Sequence, residues 1–503
     1  MIISPQNSGR SYDVIVVGSG NAGMSAAHAA REAGARVAVV EKAPRAWAGG
    51  NSHFIAGLLV AHDGIDDLKA IVEADDEEVA RIVVEPYPKA RYLADLMAKS
   101  GGRADPRLAT MLVEESLDAL RWLKGKGLRF RLNYDRMAHP VDGRQVFWGG
   151  AIVGPRDGGK GLMAEHFAAA ERAGIEMIFD AGVEDLVTRD GKVCGVVVRR
   201  NGTAATIAAR EVILAAGGFE ASPRMRAAYL GPGWDQVKVR GTPFNTGECL
   251  EMAIAGGAAS AGNWSGCHAT AWDLAAPDLG DRELTNRYSK NFYPYGIVVN
   301  LDGQRFFDEG AALRTHTYVA MGKAIRAQPH ATAFQIFDGR TIPMLNPKEY
   351  GPPASFVEAD SIEGLAAKLG IAPEALRTTV DRYNAAVREG RFNPSALDDC
   401  HTEGLAPAKS HWARRLDTAP YRAYTVTCGI TFTFGGLAVD GDMAVLRQSD
   451  GAPIPGLHAA GEIIGGLYHG DYVGGAGITF GTVSGRRASL AAAGARQPAR
   501  DAA

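Results

Sequence analysis

The clearest chemistry in this chain is carried by glycines and an acid near its start. Gly18-Ser19-Gly20-Asn21-Ala22-Gly23 follows the apolar run Tyr12 to Val17 and opens a stretch of small residues at helical spacing that lasts to Ala33. In a strand–turn–helix unit Gly18 permits the turn, Gly20 lets backbone approach a pyrophosphate, and Gly23 lets the helix close on the strand. The helix N-terminus then faces the phosphates. A second apolar run, Arg36 to Val40, ends on Glu41, eighteen residues beyond Gly23, where a carboxylate accepts hydrogen bonds from a ribose diol. The pattern predicts a dinucleotide site.

Beyond Glu41 and Lys42, Ala48-Gly49-Gly50-Asn51-Ser52-His53 is a small-residue loop running into Phe54-Ile55-Ala56-Gly57. Such a loop lets a flat ligand lie against backbone. Cys194, Cys249, Cys267, Cys400 and Cys428 form no CxxC pair, no haem motif and no zinc spacing, so they read as buried thiols and no metal site is expected. Redox chemistry then falls to an organic cofactor. The 62 glycines exceed the usual share of about 7% and fall in clusters, as close backbone contact with a large ligand requires.

These residues need elements to hold them. A chain of 503 residues exceeds one small core and predicts two or three lobes. Pro106 to Lys124 reads as an amphipathic packing helix, and Glu184 to Arg200 as a β-hairpin about Asp190-Gly191, with the next turn at Asn201-Gly202. The strand Glu211 to Leu214 then breaks at Gly217-Gly218. From about Gly262 to Gly429 aromatics and prolines increase, with a weak helical pattern at Ala331 to Gly339 and a clear one at Pro373 to Arg388. Dinucleotide texture returns at Gly435-Gly436, Pro455 to Glu462 and Gly474 to Ile478. The predicted fold is α/β: a Rossmann-like lobe built from both chain ends (1–262 and 431–503) with an inserted α+β capping domain (263–430). A net charge of −3 without basic tracts argues against nucleic acid. With no apolar leader in Met1 to Arg10 and no membrane-length apolar run, a soluble, cytoplasmic chain is expected.

GSGNAG with Glu41-Lys42, the GGNS loop, VILAAGGF, LHAAGE and GGAGITFGTVSGR together resemble the FAD-dependent fumarate reductase and succinate dehydrogenase flavoprotein superfamily, over nearly the whole chain. YPYGIVVNLDGQRFFDEG, ALRTHTYVAMGKAI, TCGITFTFGGL and the YxxxYVGGAG stretch resemble most closely its tricarballylate dehydrogenase branch, which forms cis-aconitate. The resemblance implies a flavin lobe, a mobile cap, and substrate held between them. FAD would run along Gly18, Ser19, Gly20, Ala22 and Gly23, with its ribose on Glu41 beside Lys42. Its ring would lie near Gly49, Gly50, Asn51, Ser52 and Gly57, closed by Glu462, Gly477 and Ile478, with Val183, Ala216 and Gly217 toward the adenine half.

Flavin desaturation sends a hydride to N5 while a base takes a proton from the adjacent carbon; beside a carboxylate, the developing charge needs a fixed cation. The resemblance places Arg314 at the substrate as proton carrier, although a guanidinium, always protonated, is better suited to an electrostatic clamp. It puts Glu309 and Arg305 in a relay behind Arg314, and His268 on the substrate at the start of the cap. Tyr472 stands where the reductases carry an arginine, and Thr431, Phe432 and Thr433 replace their paired histidines. Tyr472 can donate a hydrogen bond or act as base, with His469 as a further candidate. Ser52-His53 lies in a loop comparable to the one that binds flavin covalently in succinate dehydrogenases; noncovalent FAD is expected here. The implied function is dehydrogenation of a small di- or tricarboxylate, with electrons passed to a separate acceptor protein or quinone-linked partner. A Δ1-3-ketosteroid-type desaturase using Tyr295 and Tyr472, and an electron-relay subunit without its own desaturase activity, are the alternatives.

Overall fold

The computed structural model describes residues 11–147, 150 and 152–494; Met1 to Arg10, where no leader was read, lies outside them. β1 (Ser11–Val17), α1 (Asn21–Glu32) and β2 (Val37–Val40) form the strand–turn–helix–strand unit predicted from the glycines. Both strands are β-branched and buried, and pair in parallel, as a sheet covered on two faces requires. α2 (Pro106–Gly125) starts at an Asp105 cap and buries Leu108, Leu112, Leu120 and Leu123, the packing helix expected. After α3 (Gly158–Ala173), β3 (Glu176–Ile178) extends the sheet beyond β2.

β4 (Gly182–Arg189) and β5 (Lys192–Arg200) make the predicted hairpin, which continues into β6 (Thr203–Leu214). β6 has two roles: Thr203 to Ala208 pairs antiparallel with β5, and Ala208 to Leu214 pairs parallel with β1. It therefore brings Ala215 to Gly217 to the same sheet edge as Gly18.

A second sheet begins with β7 (Lys238–Val239) and continues with β8 (Ser260–Asp273), β9 (Ile297–Val299) and, after α4 (Arg314–Arg326), β10 (Ala333–Phe337). The helical pattern read at Ala331 to Gly339 is thus a strand. All five residues of β10 are buried between β9 and β11 (Tyr421–Leu437), and a short apolar run cannot be told from a helix segment by periodicity alone. The helix predicted from Pro373 is present as α5 (Pro373–Ala386). β11 is the spine of this sheet, pairing with β7, β8, β10 and Val357–Ala359, and it runs through the boundary expected at residue 430.

The chain then returns to the first sheet. β12 (Pro453–Ala459) pairs in parallel with β6, and α6 (Ala476–Ala492) packs on α1. The helices are locked together: Asn21 Nδ2 donates to the Ile478 carbonyl and Thr482 Oγ1, each at 2.9 Å, and a Cβ at Gly485 would sit 2.3 Å from the Ala22 carbonyl oxygen. Both chain ends build one lobe. No helix among the described residues is long and apolar enough to cross a membrane.

Candidate active site

β1 and β2 end side by side, which sets Glu41 against the glycine turn. Its Oε2 accepts from the Ser19 N–H at 2.8 Å and Oγ at 2.5 Å, and its Oε1 accepts from the Ala43 N–H at 2.8 Å. The three glycines separate by function. A Cβ on Gly18, at φ +101°, would lie 2.4 Å from the Ala215 oxygen, and one on Gly23 would lie 2.0 Å from the Gly18 oxygen. On Gly20 the nearest atom would be Ser52 Oγ at 3.5 Å, an ordinary van der Waals contact, and the residue borders open space.

That space is a cavity of about 490 Å³, lined on one side by Gly18, Ser19, Gly20, Ala22, Glu41 and Lys42, and on the other by Val183, Ala216 and Gly217. Lys42 sits at the rim, its Nζ 2.6 Å from Glu248 Oε1. Gly50, Asn51 and Ser52 also line it, whereas Gly23 and Gly49 lie behind the wall and act through packing; the Gly49 N–H donates to Ser19 Oγ at 3.1 Å. Ser52 Oγ accepts from the Asn21 N–H at 2.9 Å, tying the loop to the helix start.

A second cavity of about 260 Å³ shares Asn21, Ala22, Asn51, Ser52 and Glu462 with the first. Phe54 to Gly57 and Gly477-Ile478 line it. An acid at a strand end, free space over Gly20 and the start of α1, and a contiguous chamber walled by backbone fit the elongated FAD molecule.

Opposite the flavin wall stands an aromatic group on the second sheet. The β8–β11 register sets His268 against Phe432, ring centroids 5.2 Å apart and 13° from parallel. Tyr472 meets His268 edge-on at 4.9 Å, and the Tyr318 hydroxyl is 2.8 Å from His268 Nε2. Burial first, and the Arg240 charge next, hold His268 well below the usual imidazole range, so it is neutral near pH 7. Burial pushes Tyr472 up to about 12, and its oxygen accepts from the Gly477 N–H at 2.9 Å. It is therefore a phenol near neutral pH, a donor rather than a base. Arg314 opens α4, four residues before Tyr318 and so on the same helix face; both line this cavity. Its guanidinium lies 4.1 Å from the Phe292 ring centroid, and its pKa is lowered by burial against the pull of Glu349.

The cavity also holds residues that sequence reasoning missed. Arg240 follows β7, Arg136 follows Asp135 in a short helix, and Glu349 lies on Pro347–Tyr350, all isolated in the sequence and without a motif. Arg136 Nη2 is 2.7 Å from Oε1 of the buried Glu349. Behind the joint of the two cavities, Glu220 accepts from Asn51 and Asn245, each at 2.6 Å, beside Glu462. Burial raises Glu220 to about 7, and burial together with Glu220 pushes Glu462 well up. Glu462 is the acid already singled out in LHAAGE, and for Glu220 the only signal is its place directly after VILAAGGF.

Several residues singled out in the sequence lie off these walls. Glu309, expected with Arg305 in a relay behind Arg314, is not on the cavity wall: it is fully buried, pairs with Arg305 at 2.5 Å, and accepts from the Val298 N–H at 2.8 Å, so the pair braces β9. His469 is outside the cavity, 2.6 Å from Arg103. Tyr295 turns its hydroxyl to His139 and the Pro394 carbonyl, each at 3.1 Å, and leaves the main cavity wall. His53 lines neither cavity; its Nε2 lies 3.0 Å from the Arg282 carbonyl oxygen. Cys194 and Cys249 are half-buried while the other three thiols are buried, and no metal-holding cluster occurs among the described residues.

A dinucleotide lobe from both chain ends, joined through a shared wall to an arginine-bearing cavity, defines a flavoprotein oxidoreductase. The family described as FAD binding domain matches residues 13–478. A probable fumarate reductase of Shewanella frigidimarina is 30% identical over 94% of this chain and 73% of its own. The NADH:fumarate oxidoreductase of Klebsiella pneumoniae is 28% identical over 96% of this chain, which spans about half (48%) of that relative. The open conformation of a flavocytochrome c3 fumarate reductase superposes with a TM-score of 0.72 at 27% identity, covering 98% of this chain and 79% of that one. The chain belongs to this FAD-binding, fumarate reductase-like flavoprotein family, and its cofactor is FAD. Substrates named among the relatives range over fumarate, urocanate and 3-oxosteroids.

Proposed function

We propose that this chain interconverts a CH–CH and a C=C bond in a small di- or tricarboxylate, with tricarballylate as the first candidate. The observation that carries this reading is Arg314, enclosed on the wall of the cavity that adjoins the flavin chamber, with neutral His268 and Tyr318 beside it. A half-buried guanidinium on the cavity wall favours an anion over a ketone, because it stabilises charge that develops next to a carboxylate. The ketosteroid-type reading loses Tyr295, which lies off this wall.

FAD, when bound, supplies the hydride acceptor at N5. Glu41, Ser19 and the Gly20 backbone hold its ribose and pyrophosphate; Asn51, Ser52, Gly57, Glu462, Gly477 and Ile478 surround its ring; Val183, Ala216 and Gly217 take the adenine half. His53 is engaged elsewhere, which supports noncovalent attachment. Arg314 clamps the carboxylate next to the reacting carbon. Neutral His268 and the Tyr472 phenol hydrogen-bond the substrate, and the aromatic group about Phe432 excludes water. The proton leaving carbon goes to a protein group at this wall. The cap (263–430) closes over the site, and a separate electron-carrier protein or quinone-linked partner reoxidises the flavin.

The test is an anaerobic half-reaction. Tricarballylate or succinate should bleach the flavin band, and Arg314→Gln should slow bleaching about 10²–10³-fold while retaining FAD. Bleaching by a 3-ketosteroid alone would transfer the function to the ketone class. Acid precipitation should release the flavin from the protein.

A further inference from the structure

Arg240 is the cavity cation that the reading above leaves without a task. Its Nε and Nη2 both donate to Asn286 Oδ1, at 2.9 and 2.5 Å, and its Nη1 donates to Thr431 Oγ1 at 2.9 Å. Both partners are neutral, and no Asp or Glu among the described residues forms an ion pair with it. Three of its five N–H groups are thereby used, leaving one on each terminal nitrogen for a ligand. The side chain is half-buried and lines the cavity, so its remaining surface opens inward.

The support behind it is rigid. Asn286 Nδ2 donates to the Phe54 carbonyl on the flavin-ring loop, and the Thr431 carbonyl accepts from Asn51 at 2.5 Å. The Trp272 ring backs the guanidinium, 5.8 Å from its centroid. Burial lowers its pKa only to about 10, so it remains a cation at neutral pH. An enclosed charge with neutral partners is costly unless an anion joins it. The third cavity cation differs: Arg136 has Glu349 at 2.7 Å.

We infer that Arg240 binds a second carboxylate of the substrate, so that the cavity selects a molecule with two carboxylates spanning Arg314 and Arg240. This rests on the carboxylate reading of the site. It makes Arg240 a binding residue whose loss separates dianions from monoanions, and it assigns any third carboxylate to Arg136, in competition with Glu349.

The test uses the FAD-loaded protein and unreactive probes, malonate as dianion and acetate as monoanion, followed by the flavin difference spectrum. Wild type should bind malonate more tightly than acetate. Arg240→Gln should weaken malonate about 10- to 100-fold and leave acetate within about threefold, with Arg240→Lys between. Malonate binding within threefold of wild type in both variants, with FAD loading and melting temperature retained, overturns the inference. So does a shift of the flavin midpoint potential in Arg240→Gln without loss of malonate, since Arg240 would then serve the flavin. Failure of wild type to bind either anion refutes the carboxylate reading itself, and the inference with it.

Discussion

Gly20 and Gly23 are three residues apart in one motif, yet their replacement by alanine should have opposite consequences. At Gly23 the new methyl would stand 2.0 Å from the Gly18 carbonyl oxygen, a backbone atom that yields only if α1 moves off β1. Overpacking of this kind costs about 1–3 kcal/mol, and at the upper end the melting temperature should fall by roughly 3 °C in a chain of this length. At Gly20 the backbone, φ −68° and ψ 176°, suits any residue, and the nearest atom is 3.5 Å from the new carbon. The flavin-free protein should therefore melt within about 1 °C of wild type, whereas the methyl occupies the path of the pyrophosphate and should weaken FAD about 100-fold. Thermal melts with and without added FAD, together with a fluorescence titration of FAD, measure both quantities. Wild-type FAD affinity in Gly20→Ala would refute the placement of the pyrophosphate over this glycine, and an unchanged melt for Gly23→Ala would refute the close helix–strand contact.

Two further outcomes follow from buried carboxylates. Glu220 is raised to about 7 by burial and Glu462 is pushed well above its ordinary range by burial and by Glu220, so between the ordinary carboxylate range and about pH 7 the folded chain holds a proton that the unfolded chain has released. Stability should be full below that window and fall as pH rises through it, by about 1.4 kcal/mol per pH unit for each proton. Glu220→Gln keeps the oxygen that accepts from Asn51 and Asn245, and should flatten the decline seen in melts from pH 5 to 8; parallel curves would contradict the shared-proton pair. Glu309→Gln should lower stability by about 3–5 kcal/mol, because it strands buried Arg305, while leaving the carboxylate KM within twofold. A selective effect on turnover in a fully stable variant would return Glu309 to the reaction.

Local chemistry made much of the first lobe legible in the sequence. Glycine spacing, an acid at the end of the second strand and the hairpin turns each act over a few residues, and each predicted its element because a φ above zero or a close backbone approach admits few alternatives. The return of Pro455 to Ile478 to that lobe was legible for the same reason. The resemblance singled out Arg314, His268 and Tyr472, but tertiary structure decided which other charges share their cavity. Arg136, Arg240, Arg314 and Glu349 come from four separate segments and share no spacing, and the long strand β11 brings Thr431 and Phe432 to them across the second sheet. The same fold leaves Glu309, His469 and Tyr295 off this cavity's wall, although their side-chain types suit the chemistry. A residue type declares what a side chain can do; which charges meet in one cavity depends on pairings between segments distant in sequence, and these are set by packing.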